Sequence, residues 1–89
     1  MKAVITVIGS DKIGIVYEVV KKMVEFDLNI VDITQTILDD TFTMIVIVDL
    51  EKMNVEFSEV VKAYEELGEK LNLSIRVQHR GIFDKMHSI

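Results

Sequence analysis

With 89 residues, 49% of them hydrophobic and 28% charged, the chain has the make-up of one globular domain around a single core, which excludes disordered and fibrous classes. Acidic side chains outnumber basic ones 15 to 10, and the formal charge of -5 leaves no basic stripe for nucleic acid. Cysteine is absent, which removes disulfides, thiolate metal sites and cysteine nucleophiles together and points to the cytoplasm. No signal-peptide pattern precedes the first strand and no apolar run approaches the roughly 20 residues of a membrane span, so a soluble, unprocessed protein is expected.

The segment from Lys2 to Ile8 is mostly Val, Ile and Thr, a strand too apolar to keep one face in water and therefore central in a sheet. It runs through the polar glycine loop Gly9-Ser10-Asp11-Lys12-Ile13-Gly14 into a helix predicted from Ile13 to Phe26. There Val16, Val19, Val20, Met23 and Val24 recur at helical spacing against Glu18, Lys21, Lys22 and Glu25. Such a junction aims backbone N–H groups and the positive end of the helix at the loop, a setting for a small anionic group.

Asn29 to Leu38 reads as a second strand, with Ile30, Asp32, Thr34 and Thr36 on one face and Val31, Ile33, Gln35 and Ile37 on the other. Its polar content suits an edge. Asp39-Asp40 is a hairpin turn to a third strand from Thr41 to Leu50, which carries Phe42, Met44, Val46 and Val48 on one face and Ile45 and Ile47 on the other. Phe57, Val60, Val61, Tyr64, Leu67 and Leu71 mark a second helix with an acidic outer face at Glu65, Glu66 and Glu69, weakened slightly by Gly68. Leu73, Ile75 and Val77 then alternate with Ser74, Arg76 and Gln78 as a half-buried strand.

The order β-α-β-β-α-β predicts the α+β class: a ferredoxin-like two-layer sandwich, an antiparallel sheet with two helices on one face. Right-handed crossovers put the first and third strands in the middle and the second and fourth at the edges.

The run Ile8-Gly9-Ser10-Asp11-Lys12-Ile13-Gly14-Ile15-Val16, followed one helix later by Asn29-Ile30 and by a hairpin to Phe42-Thr43-Met44, resembles ACT domains. These are small-molecule-sensing modules of amino-acid metabolism. The likeness covers residues 2–79 and is closest to the stand-alone members; it extends to halves of glycine-cleavage regulators and to the N-terminal module of formyltetrahydrofolate deformylases. The ending Asp84-Lys85-Met86-His87-Ser88-Ile89 is also similar to the stand-alone members. Where many of these domains have proline before the motif glycine, this chain has Ile13.

The resemblance implies a homodimer that binds an amino acid or related metabolite where one subunit's first loop meets its partner's second strand. It places the ligand at Ser10, Asp11, Lys12, Ile13 and Gly14, facing Asn29 and Ile30, with a regulated protein downstream and no catalysis, cofactor or metal. The chemistry agrees. N–H groups near Gly14 suit a carboxylate, Asp11 and the Asn29 amide oxygen suit an ammonium, and Ile13 and Ile30 suit an apolar side chain.

Plainer roles compete for the same residues. Ser10 and Asp11 are good helix N-caps, Gly9 and Gly14 serve turns and close packing, Asn29 serves a turn, and Lys12 is a solvated charge. Acylphosphatases share this fold order but carry an arginine in the first loop; here the arginines are Arg76 and Arg80. An interaction module with an empty loop remains the alternative to a ligand sensor, with an enzyme a distant third. His79 and His87, even with Asp84, do not form a metal-ligand pattern.

The tail, residues 80–89, is unexplained by the fold. Ile82, Phe83, Met86 and Ile89 share one helical face, and so short a helix cannot stand alone in water. It is expected to pack on the open face of the sheet or on a partner subunit.

Overall fold

A computed structural model describes residues 1–10 and 13–80. The elements are β1 (Lys2–Ser10), α1 (Ile15–Glu25), β2 (Asn29–Leu38), β3 (Thr41–Asp49), α2 (Phe57–Leu71) and β4 (Ser74–His79). The sheet runs β2-β3-β1-β4 with every neighbouring pair antiparallel, so the expected inner and outer strands are found. The α+β ferredoxin-like arrangement follows directly.

Alternation decides the core. Ala3, Ile5 and Val7 of β1 and Phe42, Met44, Val46 and Val48 of β3 face the helices and pack against Ile15, Val19 and Met23 of α1 and Val60, Tyr64 and Leu67 of α2. Met23 and Met44 are fully buried fillers, as the sequence indicates. Tyr64 Oη donates a 2.8 Å hydrogen bond to the Val19 carbonyl, joining the two helices inside the core. Burial, reinforced by the Glu25 carboxylate, raises the phenol's pKa and keeps it neutral.

The hairpin turn Asp39-Asp40 has φ of 49° and 64°, the left-handed pair of a type I′ turn, and it sets the register Leu38↔Thr41. Toward the other end of β2 the register jumps between Ile30 and Asp32. The strict alternation expected for β2 is therefore wrong at its start. Val31 is the extra residue of a bulge, and Ile30 sits on the helix side with Ile33 and Ile37 instead of sharing a face with Asp32.

The α1 stripe also needs correction. Val19 and Met23 are buried, but Val16 and Val20 are half-buried and Val24 is 69% exposed. Residues four apart advance by about 40° around a helix, so the row turns outward from Val16, which still packs against the core, through Val20 to Val24, and these form with Tyr17 an outer apolar strip. Both helices end on a left-handed residue, Asp27 (φ 56°) and Asn72 (φ 57°), with N–H bonds from Leu28 to the Met23 carbonyl and from Leu73 to the Gly68 carbonyl, each 2.8 Å. Gly68 is buried where β4 begins, and a Cβ there would stand 2.8 Å from the Leu73 carbonyl oxygen. Its absence of a side chain serves packing, a role the sequence alone does not reveal.

Candidate functional site

The predicted site residues fall into two groups. At one end of the sheet, Ser10 closes β1 and is exposed, Ile13 is fully exposed, and Gly14 opens α1. Asp11 and Lys12 lie outside the described residues. The N-cap position belongs to Gly14, at φ 88° and ψ 0°, and not to Ser10, whose preference for that role had suggested a cap. Among the described residues no side chain bonds to the first-turn N–H groups of Ile15, Val16 and Tyr17, which mark the positive end of the helix. Gly14 needs to be glycine because of its left-handed backbone; a Cβ there would meet nothing within 4 Å, so the space in front of it is also free.

Asn29 and Ile30 begin β2 at the opposite end. Asn29 pairs with Asp49, whereas Ser10 pairs with Thr41 at the far end of β3. The two groups are thus separated within one chain by eight steps of β3, about 27 Å at the rise of an antiparallel strand. One subunit does not bring them together.

Around Asn29 an open depression of about 670 Å³ is lined by Val24, Asp27, Asp49, Glu51 and Lys52 among others. Three carboxylates beside one amide and one amine make this end receptive to an ammonium group. Its shape depends on a residue the sequence did not mark. Asn54, in the loop after β3, donates through Nδ2 to the Glu25 carbonyl at 2.9 Å and to Asp27 Oδ2 at 3.1 Å, and its backbone N–H donates to the Phe26 carbonyl at 3.2 Å. It pins the turn that delivers Asn29, yet a lone Asn in a polar break carries no signal of a contact 27 residues away.

All ten residues of β2 are exposed; on its helix side lie Ile30, Ile33 and Ile37, interrupted by Gln35, and α1 carries its own outer apolar strip of Tyr17, Val20 and Val24. The outer edge of β2 has no strand partner among the described residues. His79 is half-buried with its ring edge-on to Phe57 at 5.7 Å, and no group of three or more His, Asp or Glu side chains able to hold a metal is found among the described residues. No described helix is long and apolar enough to cross a membrane.

Fold and site together define a small ferredoxin-like module whose β2 edge has no strand partner among the described residues. The sequence profile of the ACT domain matches residues 2–78, and the chain belongs to the ACT domain family. A UPF0237 protein of Methanococcus maripaludis is 52% identical over 86 residues, which make up 97% of this chain and 96% of that one. The solved ACT domain protein from Streptococcus pneumoniae superposes with a TM-score of 0.81 at 42% identity, covering 100% of this chain and 97% of that chain. A formyltetrahydrofolate deformylase from Pseudomonas putida shares the fold with a TM-score of 0.79 at 11% identity, over 89% of this chain and 29% of its own.

Proposed function

We propose that the protein is a non-catalytic, cytoplasmic regulatory module that acts as a homodimer and holds an amino acid or related small metabolite between subunits. Ser10, Asp11, Lys12, Ile13 and Gly14 of one subunit form one side of the site, and Asn29 and Ile30 of the other form the opposite side.

The observation that carries this reading is the apolar-flanked edge of β2, without a strand partner among the described residues, running between two half-sites that one chain keeps apart. An antiparallel pairing of β2 with its copy continues the sheet and sets each Asn29 opposite the other subunit's Leu38 end. That end is also where β1 delivers Ser10, two strands or about 10 Å inward. The α1 strips then meet above the seam and cover Tyr17, Val20 and Val24. In such a junction the N–H groups at the start of α1 receive a carboxylate, and the Asn29 amide with its acidic surroundings receives an ammonium. Binding favours one dimer geometry over others, and a separate regulated protein reads the change.

The test is a thermal-shift panel of amino acids with light scattering on the same samples. A cognate ligand at 100 times its Kd adds about 2.7 kcal/mol of stability. Asn29→Ala should abolish that shift without lowering the unliganded Tm, and Val24→Glu should turn dimer into monomer. A wild-type monomer at micromolar concentration would refute the junction; a dimer silent to every compound would favour an interaction module with an empty loop.

A further inference from the structure

The depression around Asn29 has two walls, and they come from segments far apart in the chain. One wall is the turn Asp27-Leu28-Asn29 that leaves α1; the other is Asp49, Glu51 and Lys52, where β3 runs out into the loop before α2. At the floor the sheet joins them, since Asn29 pairs with Asp49. Above that pair each wall has bonds of its own. The Leu28 N–H donates to the Met23 carbonyl at 2.8 Å, the Glu51 N–H to Asp49 Oδ1 at 2.9 Å and the Met53 N–H to the Leu50 carbonyl at 3.1 Å. None of these three bonds crosses from one wall to the other.

Asn54 makes the crossing. It stands behind the depression and not in its lining, and its Nδ2 donates to the Glu25 carbonyl at 2.9 Å and to Asp27 Oδ2 at 3.1 Å, while its backbone N–H donates to the Phe26 carbonyl at 3.2 Å. The Glu25 carbonyl lies in the last turn of α1, among the acceptors a helix leaves without a partner of its own. Asp27 has the left-handed backbone, φ 56°, that turns the chain toward β2. An amide nitrogen carries two protons, one for each of these acceptors, so asparagine fits the position chemically; an ionised aspartate of the same shape would bring acceptors to acceptors.

We infer that Asn54 is a positioning residue of the Asn29 half-site: without touching the ligand, it locks the two walls of the depression at one separation. The inference rests on the proposed placement of a metabolite at Asn29.

Asn54→Ala and Asn54→Asp test it, the second keeping the shape of the side chain while removing both donors. Binding of the standard amino acids, one at a time, is followed by titration calorimetry well below the melting temperature, so that a loss of stability does not enter the affinity. Whichever of them binds the wild type should bind each variant about fivefold more weakly, the effect of about one lost hydrogen bond. Amide hydrogen exchange on the unliganded proteins reads the lock itself, and Leu28 beside one wall and Met53 beside the other should both exchange faster in the variants. Faster exchange with unchanged affinity would overturn the positioning role and leave the proposed ligand site standing. Unchanged exchange at Met53 would overturn the lock between the walls. A wild type that binds none of the amino acids would refute the ligand site and this role with it, and the wild-type titration alone tells that failure from the others.

Discussion

Replacing Gly68 by Ala sets two effects of known size against each other. In an exposed helix the change stabilises by about 1 kcal/mol, since Ala has less backbone entropy to lose. At Gly68 the new Cβ would sit 2.8 Å from the Leu73 carbonyl oxygen, with Ile75 Cγ1 at 3.5 Å. A carbon meets a carbonyl oxygen comfortably at about 3.3 Å, so the start of β4 has to retreat by roughly 0.5 Å. Leu73 N–H also donates to the Gly68 carbonyl at 2.8 Å, so the retreat strains the bond that closes α2. Overpacking of this kind costs about 1–3 kcal/mol and a weakened cap bond about 1 kcal/mol, which outweighs the gain in propensity. The net expectation is a loss of about 1–3 kcal/mol, a fall in Tm of about 5–15 °C for a domain of this size. Urea and thermal unfolding followed by circular dichroism measure it, with exposed Lys70→Ala as the neutral reference. A Tm above that of the wild type with an unchanged m-value would refute the reasoning, because helix propensity would then have prevailed over packing.

Tyr64→Phe removes the 2.8 Å bond to the Val19 carbonyl and should cost about 1 kcal/mol at neutral pH, read from the urea midpoint. The same substitution should alter the alkaline limb of stability. Tyr64 holds its proton above the ordinary value of 10.0 in the folded chain, so the unfolded chain releases it first; its stabilisation is complete below about pH 10 and is lost as pH rises beyond. The gap between wild type and Tyr64→Phe should therefore narrow above pH 10, by up to about 1.4 kcal/mol per pH unit, and a constant gap would contradict it. Asn54→Ala deletes the two side-chain bonds to the turn after α1 and should cost about 1 kcal/mol while speeding amide hydrogen exchange at Leu28 and Asn29; unchanged exchange would mean the turn holds itself.

The elements were legible because each has a strong local signal. The periodicity of Phe57 to Leu71 marks α2 at its observed bounds, and the two aspartates between apolar runs mark a hairpin turn that adopts the left-handed pair. The errors lie where a single residue changes phase or role. The bulge at Val31 moves Ile30 to the other face, and no propensity distinguishes Val31 from its neighbours as the extra residue. Val24 matches an amphipathic stripe by spacing alone, but its exposure follows from how α1 is rotated on the sheet. The helix cap moves from Ser10 to Gly14 because the chain takes a further four residues to turn from β1 into α1. The candidate site was legible only as residue types. That Ser10 and Asn29 occupy opposite ends of one sheet follows from antiparallel register, which the linear order conceals.

By itself the sequence determined the class of the protein: alternation at period two and recurrence near 3.6 specify which segments are strands and helices, and their order admits few topologies. The aspartate turn and the acidic outer face of α2 are local consequences of backbone and solvation chemistry, so they too could be read residue by residue, whereas Gly9 and Ser10, expected in a loop, extend β1. Only the tertiary structure decided why Gly68 has no side chain and why Asn54 matters to the turn before Asn29. Each depends on atoms brought close from distant parts of the chain. The same is true of the β2 edge: a polar strand predicts an edge, but the exposure of Ile33 and Ile37 on its helix side and of Tyr17 and Val24 on α1 follows from how the helices sit on the sheet.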